Sequence, residues 1–488
     1  MKRITACLLT VLMLLSLVSC GVTQGEDEPD GTKIRLSDDG ISVNGKSISE
    51  DTAAAVYAAH DIVFYLQGQG IAYGEGDSDD AHTQEEADAH TVVHITQPGT
   101  YILSGQLSAG QIAVDLGEDA ESDPNAVVKL VLDGVDITCQ VAPAIIFYNV
   151  YECGDADNAN MDVDTSAAGA NIVIADGSEN TVNGSYVAKI YESCALSEDG
   201  SEVLDSKKLH KYDGAVYSKM SMNVSGGEME SGILNIHAEN EGLDSELHLT
   251  VNGGNINIVS GDDGINTNED GVSVTTVNGG HINILVNGRQ GEGDGIDSNG
   301  WLVINGGTVV AEACSSSGDA GIDSDMGIYI NGGTVIASGN MLDGIAGSRQ
   351  NYAVFTFSQK QSGDGQTYML KNADGETVMQ ATPTNGFSCL ILSASELETG
   401  DYTLWCGDKQ LSGVSGSAGG RTMIPDQERP EMPMGEAPGG NGQEPPEKPD
   451  GAMGEVMARP DQMPQGEING EASEVFSIMA GGEYFTVV

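Results

Sequence analysis

The sequence predicts an all-β protein, a right-handed parallel β-helix followed by a small C-terminal β-unit and a disordered Pro/Gly/Met-rich tail. A four-residue turn recurs almost unchanged, and its copies begin 26, 27 and 26 residues apart. A second motif precedes each turn, and short runs with alternating apolar residues lie between the motifs. Repetition at this interval is typical of a solenoid, in which each repeat stacks on its neighbours.

Both repeated motifs contain the residues that favour turns. The turn itself reads Val or Ile, Asn, Gly, Gly, at Val251–Gly254, Val277–Gly280, Ile304–Gly307 and Ile330–Gly333. The preceding motif has glycine second and Asp or Asn fourth, at Glu241–Ser245, Asp263–Thr267, Asp294–Ser298 and Ala320–Ser324. We expect a fifth copy at Asp343–Ile345. Two or three short strands per repeat fit one coil of a β-helix, whereas a propeller blade needs four strands and about 40 residues.

The composition along the chain predicts six segments. They are a lipoprotein signal peptide (1–19), a linker (20–32), the parallel β-helix (33–350), a small antiparallel β-unit (351–411), a disordered low-complexity segment (412–474) and one or two terminal strands (475–488). The low-complexity segment cannot bury enough apolar surface to offset the entropy lost on ordering. In the β-unit, Asn372–Gly375 predicts a hairpin turn.

Two cysteines of the β-unit leave two alternatives open. Phe387–Leu392 and Asp401–Cys406 flank a turn-like stretch, so a hairpin would place Cys389 opposite Cys406. A cross-strand disulfide and two free buried thiols are both compatible with this arrangement. The sequence has no C-x-x-C pair, which argues against a structural zinc site.

The N-terminus predicts export and lipid anchoring. Lys2 and Arg3 precede an apolar run, Ile4–Val18, that is too short to span a membrane comfortably. The run ends in Leu17–Gly21, which resembles a bacterial lipobox in which Cys20 would be lipidated. A plain secretory signal followed by a chance cysteine is the alternative. We therefore expect an extracellular, cell-surface lipoprotein anchored at Cys20, whose contact with the membrane is made by the lipid alone.

The charge excludes some partners and favours others. The chain has 20 Lys and Arg against 74 Asp and Glu, a formal net charge of -54. This argues against nucleic acid and anionic membranes as partners, because both carry charge of the same sign. It favours cations, although acidity also serves solubility alone.

Equivalent acidic residues would form columns if the repeats stack in register. One column is Asp244, Asn266, Asp297 and Asp323, and a neighbouring column is Asp263, Asp294 and Asp343. Ionised carboxylates one strand spacing apart, about 4.8 Å, repel by roughly 3.5 kcal/mol at an effective dielectric constant near 20. Because Ca²⁺ accepts oxygen ligands of these kinds, the columns predict calcium sites. The alternative is that Asp, Asn and Gly only satisfy the geometry of the turns.

Other residues suggest how a sugar would be bound or cleaved. Alternation predicts that Trp301 and Tyr329 face outward on neighbouring coils, where they could stack on a pyranose ring. Burial of Trp301 under the loop inserted near 269–272 is the alternative. A polysaccharide lyase would need a base beside its calcium, and Arg289 is the only basic residue near the acidic columns. The other role for Arg289 is a surface charge partner of Glu292.

Several segments together resemble a known bacterial family. The segments are Gly99–Gly105, Gly110–Asp115, Leu130–Ile137 and Gly177–Val182, together with the two repeated motifs. They resemble the carbohydrate-binding domain-containing proteins, secreted cellulose- and pectin-binding β-helices similar to the lyases of polysaccharide lyase family nine. The resemblance implies calcium in the coil turns, at Asp263, Asp294, Asp297 and Asp323, and polysaccharide binding without assured catalysis.

One departure from the family weakens the expectation of a lyase. In the family, several coils carry lysine after the Asp-Gly-Ile sequence, where this chain has Asp244, Asn266 and Asp297. The leading hypothesis is therefore a calcium-binding surface protein that recognises an extracellular polysaccharide such as cellulose or polygalacturonate. A calcium-dependent pectate lyase is the second hypothesis, and a calcium-stabilised adhesin or scaffold is the third.

Overall fold

The strands of successive repeats pair side by side in the computed structural model of the chain. It describes residues 31–154, 159–415 and 472–488. The predicted signal peptide, Cys20 and nearly all of the predicted disordered segment lie outside these described residues. The prediction of an all-β fold is confirmed. The sheets are mixed, with parallel pairing between repeats and antiparallel pairing towards the ends of the described chain.

The repeats form three stacks of strands, which we call the first, second and third stacks. The first stack is a seven-stranded sheet: Val56–Ala59, Thr91–Ile95, Gly110–Val114, Ile145–Phe147, Gly214–Ser218, Glu241–Ser245 and Ile265–Thr267. Its pairings are parallel except for the first. Single bridges from Ile265 to Ile296 and from Ile296 to Ile322 extend the stack through two more repeats.

The second and third stacks belong to one large sheet. The second stack contains Thr32–Leu36, Ala170–Ile174, Met222–Gly226, His248–Val251, Val274–Val277, Trp301–Ile304, Gly327–Ile330 and Ile345–Ser348. The third stack contains Glu179–Gly184, Ile233–Ala238, Asn255–Ser260, His281–Val286, Thr308–Glu312 and Thr334–Gly339. Two long strands, Gly99–Leu107 and Val128–Thr138, run through both stacks.

The repeated Asn-Gly-Gly turn joins the second stack to the third. Its second glycine has a positive φ in every copy, for example 77° at Gly307. A Cβ atom on Gly307 would lie 2.7 Å from the carbonyl oxygen of Gly280 in the preceding turn. Glycine is therefore required both by the backbone conformation and by the close approach of stacked turns.

Rows of β-branched apolar side chains fill the interior. In the third stack, Ile256, Ile282, Val309 and Val335 lie opposite one another and are fully buried. In the second stack, Val277, Ile304 and Ile330 do the same. β-Branched residues suit such rows because their stiff side chains pack well on a pleated surface.

Antiparallel strands close the C-terminal end of the third stack. Phe387–Ser393 pairs with both Thr334–Gly339 and Tyr352–Gln361, and Tyr352–Gln361 also pairs with Glu483–Val487. A separate antiparallel sheet contains Thr377–Ala381, Tyr368–Asn372, Gly400–Cys406, Lys409–Leu411 and Phe476–Ile478. The predicted hairpin turn at Asn372–Gly375 is confirmed, because the Gly375 N–H donates to the Asn372 carbonyl at 2.9 Å.

Three expectations for this end of the chain are wrong. Cys389 and Cys406 lie in different sheets, so the hairpin and the disulfide alternative are wrong, and both residues are free thiols as the other alternative held. Ile345 does not continue the first stack, because it pairs with Ile328 of the second stack instead. The expected disorder does not begin at 412, because Gly413–Ser415 is a strand paired with Glu483–Val487.

The remaining elements are two antiparallel hairpins and two short helices. Ser42–Val43 and Lys46–Ser47 pair antiparallel beside Thr32–Leu36, and Val187–Leu196 forms a hairpin with Val203–Tyr212. The helices are one α-helix, Gln84–Asp88, and one 3₁₀-helix, Glu118–Ser122, within the described ranges. Neither helix approaches the length that a membrane crossing requires.

Truncation of a stacked core side chain should cost far more stability than truncation of an outward one. Ile304 is fully buried, whereas Val310 faces outward and is partly exposed. Ile304→Ala should lower the free energy of unfolding by about 2–5 kcal/mol, because it removes a buried row member and leaves a cavity. Urea unfolding followed by circular dichroism measures the loss. Val310→Ala is the control, and an equal loss in both variants would contradict the stacked core.

Candidate metal centre

Two rows of polar side chains run along the first stack, one on each side of the motif glycine. In row one, Asp244 lies opposite Asn266 in a parallel pairing. The Asp297 N–H donates to the Ile265 carbonyl at 2.8 Å, and the Asp323 N–H donates to the Ile296 carbonyl at 2.7 Å. These bonds extend row one through all four repeats, in the order that the motif spacing predicts.

Row two contains the residues that precede the motif glycine. Glu241, Asp263 and Asp294 occupy equivalent positions, because Gly242 donates to the Asp263 carbonyl and Gly264 donates to the Asp294 carbonyl, both at 3.0 Å. The expected third member, Asp343, is absent from this row, since Ile345 stacks in the second stack. Asp343 still lies close enough to Asp323 to raise its pKa.

The two rows converge at an aspartate triad. One carboxylate oxygen from each of Asp294, Asp297 and Asp323 lies within 4.8 Å of the other two. Asp263 approaches the triad from the preceding repeat, and its Oδ1 accepts a hydrogen bond of 2.6 Å from the Asp294 N–H. The triad therefore brings members of both predicted columns into one cluster.

A second cluster lies one and two repeats earlier, at Glu241, Asp244 and Asn266. All three side chains are more than nine-tenths buried. The Asn266 amide donates to Glu241 Oε1 at 3.0 Å, and the Asn268 amide donates to Asp244 Oδ1 at 2.6 Å. Glu241 Oε2, Asp244 Oδ2 and Asn266 Oδ1 have no hydrogen-bond partner among the described residues. Buried acceptors of this kind are costly unless something satisfies them.

Burial and mutual repulsion shift the titration of these carboxyl groups upward. Burial first, then repulsion from Asp297 and Asp343, raises the pKa of Asp323 to about 8. Burial, then Glu292 and Asp319, raises the pKa of Asp262 to about 7. The pKa values of Asp263 and Asp294 are also raised well above the usual range, by burial and then by neighbouring aspartates. Without metal, these groups therefore hold their protons to higher pH than ordinary carboxyl groups do.

The donor set of both clusters fits a hard divalent cation. The candidate ligand atoms are carboxylate and amide oxygens, which Ca²⁺ accepts in numbers of about six to eight and in flexible geometry. None of the cluster members is a His or Cys, the residues that zinc prefers. A cation would satisfy three buried oxygens that accept no hydrogen bond from the described residues: Glu241 Oε2, Asp244 Oδ2 and Asn266 Oδ1.

The family model of carbohydrate-binding domain-containing proteins matches residues 89–353, more than half of the chain. This chain belongs to that family. The match covers both clusters and most strands of the three stacks. The resemblance found in the repeated motifs is thereby confirmed.

Two known proteins match parts of the chain. A carbohydrate-binding domain-containing protein of Acetivibrio thermocellus (strain ATCC 27405) is 28% identical over 204 residues, which cover 40% of this chain and 57% of the relative. The chain thus spans little more than half of that relative's length. A polysaccharide lyase-like protein from C. thermocellum, solved as a gadolinium derivative, is 21% identical, with a TM-score of 0.36. That match covers 65% of this chain and 92% of the other.

The predicted sugar-binding residues, Trp301 and Tyr329, lie on the second stack, whereas the triad extends the first. Trp301 lies opposite Gly327, and Tyr329 lies opposite Val303, so the two aromatic residues are diagonal neighbours and not a direct pair. Both are partly exposed, and Tyr329 lines an open cavity. Arg289 is largely exposed and forms an ion pair of 3.2 Å with Glu239, not with the expected Glu292.

Sequence reasoning did not assign Glu241 and Asn268 to the site. Glu241 begins a motif copy in which glutamate replaces the aspartate of the next two repeats, and that equivalence was the signal that could have identified it. Asn268 follows the motif, and its side chain donates to Asp244 and accepts from Asn266. Its role depends on contacts with the neighbouring repeat, and no motif in the sequence around Asn268 predicts those contacts.

The metal-free protein should lose stability as the pH rises from about 4 to about 8. Asp262 and Asp323 have raised pKa values in the folded state, against an ordinary value of 3.8. Between those limits the folded state holds protons that the unfolded state has lost, so folding weakens as pH increases. Thermal unfolding in a chelator at several pH values measures this slope.

Calcium should oppose this loss of stability at high pH, because it replaces the protons that the acidic clusters otherwise hold. The rise in Tm on adding millimolar Ca²⁺ should be small at pH 5 and several degrees at pH 8. Asp294→Asn combined with Asp297→Asn should abolish most of this rise. Asp133→Asn, at an exposed position outside the rows, is the matched control. A Tm that ignores calcium at every pH would contradict the assignment of a metal centre.

Proposed function

We propose that this protein is a calcium-binding, cell-surface protein that recognises an extracellular polysaccharide such as cellulose or pectin. Membership of a carbohydrate-binding family supports the polysaccharide as partner. The calcium part depends on one observation, the buried oxygens of Glu241, Asp244 and Asn266 that have no hydrogen-bond donor. The aspartate triad supports the same cation chemistry independently.

The proposed architecture is a right-handed parallel β-helix. Three stacks of strands, with parallel register from repeat to repeat, are what one continuous winding would produce. The strong preference of parallel crossovers for right-handed connections supports the hand. Calcium would then act as a clamp between repeats, since each cluster takes its oxygens from more than one repeat.

The proposed location follows from the sequence. The basic residues Lys2 and Arg3, the short apolar run and Cys20 together support export and lipid attachment. Attachment at Cys20 would leave the linker and the repeats outside the cell. That compartment supplies calcium at concentrations that weak extracellular sites can use.

Polysaccharide capture should depend on calcium. Purified protein mixed with insoluble cellulose or covalently cross-linked pectin, then sedimented, should be recovered with the polymer in millimolar Ca²⁺ and remain in solution with chelator. The Asp294→Asn, Asp297→Asn variant should behave like chelated wild type, and Asp133→Asn like wild type. Capture that ignores both chelator and variant would exclude calcium from the function.

The same samples separate binding from the two alternatives. Absorbance of unsaturated uronate product, measured in the ultraviolet during incubation with polygalacturonate, would identify a lyase. Calcium-dependent stability without capture of any tested polysaccharide would favour a scaffold. The proposed binder should give capture with no increase in absorbance.

A further inference from the structure

An open groove lies on the outer face of the second stack, away from the two acidic rows. Its floor is formed by outward side chains that lie opposite one another in successive repeats: Thr250, Thr276, Val303 and Tyr329. The groove has a volume of about 770 Å³. Three strand spacings separate the first and last of these residues, a length of roughly 14 Å.

A ladder of asparagines forms one side of the groove. The side-chain amide of Asn278 donates to Asn252, that of Asn305 donates to Asn278, and that of Asn331 donates to Asn305, each at 2.9 Å. The ladder fixes the orientation of each amide. Asn278 and Asn305 each use one donor and one acceptor site in the ladder, so each retains one further N–H and one carbonyl lone pair. The groove therefore presents donors and acceptors at a regular interval.

Another part of the groove's lining is a loop, residues 161–166, that is fastened to the floor. The buried Thr165 hydroxyl hydrogen-bonds to the Thr250 hydroxyl at 2.6 Å and donates to Asn223 at 2.9 Å. The Asn223 amide donates back to the Thr165 carbonyl at 2.8 Å. These bonds close one end of the groove over Thr250 and leave Thr276 and Tyr329 partly exposed, with the buried Val303 between them.

The tyrosine at the other end has room because its neighbour lacks a side chain. A Cβ atom on Gly347 would lie 2.8 Å from Cδ1 of Tyr329. The Tyr329 ring therefore packs directly against the Gly347 backbone and remains partly exposed in the groove. An aromatic ring beside a row of polar groups is the usual combination for holding a sugar.

The geometry points to this groove as the binding site for one strand of a neutral polysaccharide, with its hydroxyls on the asparagine ladder and a ring against Tyr329. The inference rests on the proposed function, namely that the protein binds polysaccharide. Hydroxyl groups both donate and accept, as the free positions of the ladder require. The strand would run across the repeats, along the ladder.

The charges around the groove favour a neutral strand over a polyuronate. The loop carries the exposed carboxylates Asp162 and Asp164, and the far end carries one cation, Arg349. The whole chain has a formal charge of -54. An anionic polymer would therefore meet repulsion at this loop and from the protein as a whole.

Two variants test the groove with a matched control. Thr276→Arg fills the middle of the floor, and Tyr329→Ala removes the ring. Thr308→Arg places the same side chain on the neighbouring strand of the third stack, outside the groove. Retardation of the full chain in native gels that contain hydroxyethyl cellulose or polygalacturonate, with Ca²⁺ saturating throughout, measures the affinity. Both groove variants should bind hydroxyethyl cellulose at least about tenfold more weakly, and Thr308→Arg should bind like wild type.

The outcomes separate this inference from the proposed function. Wild type that is retarded by neither polymer, nor captured by insoluble cellulose or pectin, would overturn the proposed function. Wild type that binds hydroxyethyl cellulose, with groove variants that bind it equally well, would overturn the groove alone. Groove variants that lose only polygalacturonate would overturn the neutral specificity. The Tm of each variant should match wild type, and the Tyr329→Ala result serves as the second test if Thr276→Arg does not fold.

Discussion

Parallel register between repeats is the constraint on which the structure depends. It places each side chain about one strand spacing from its counterpart in the next repeat. For apolar residues this stacking is favourable, as in the buried row Ile256, Ile282, Val309 and Val335. For amides it is also favourable, because each asparagine of the ladder donates to the one before it. For carboxylates it is unfavourable, since an ionised acceptor cannot satisfy another, and the raised pKa values of Asp263 and Asp294 reflect this after burial. One geometric rule thus produces both the apolar core and the clusters of buried acids.

The register was predictable because the motif spacing encodes it. Asp244, Asn266, Asp297 and Asp323 follow from equal positions in a repeated motif, and the loop inserted near 269–272 does not disturb their order.

The end of the stack was not predictable in the same way. Asp343–Ile345 looks like a further copy, but Ile345 pairs with the second stack. Where the third stack ends, Phe387–Ser393 pairs antiparallel with its last strand, and only the fold brings these distant segments together. The separation of Cys389 from Cys406 has the same origin, because alternation within two strands cannot tell which sheet each will join.

The sequence predicted those site residues that occupy repeated motif positions and missed most of the others. The aspartates at repeated motif positions were predicted as metal ligands. Glu241 was not, although its side chain accepts a hydrogen bond from Asn266 in the second cluster. The asparagines of the turns were explained by turn geometry, and that explanation hid the ladder that their side chains form. Tyr329 was predicted from alternation, and the structure places it in the groove, but Trp301 lies diagonally from it. The loop that carries Thr165 has no repeat to compare with, so only its hydrogen bonds to Asn223 and Thr250 reveal it as part of the groove's lining.

The two sites lie on different stacks, yet they are mechanically connected through the repeats. Row one and row two hold their side chains on the first stack, whereas the ladder follows the second stack. A cation shared between repeats would fix the spacing of the first stack, and the same repeats carry the ladder that a sugar strand would meet. Removal of calcium would therefore loosen the groove without any contact between ion and sugar, through the energetic coupling of neighbouring repeats. Loss of polysaccharide binding in chelator would therefore fit either a loosened register between repeats or a direct contact between ion and sugar. It does not place the sugar on the metal, and only substitutions on the floor of the groove distinguish these two arrangements.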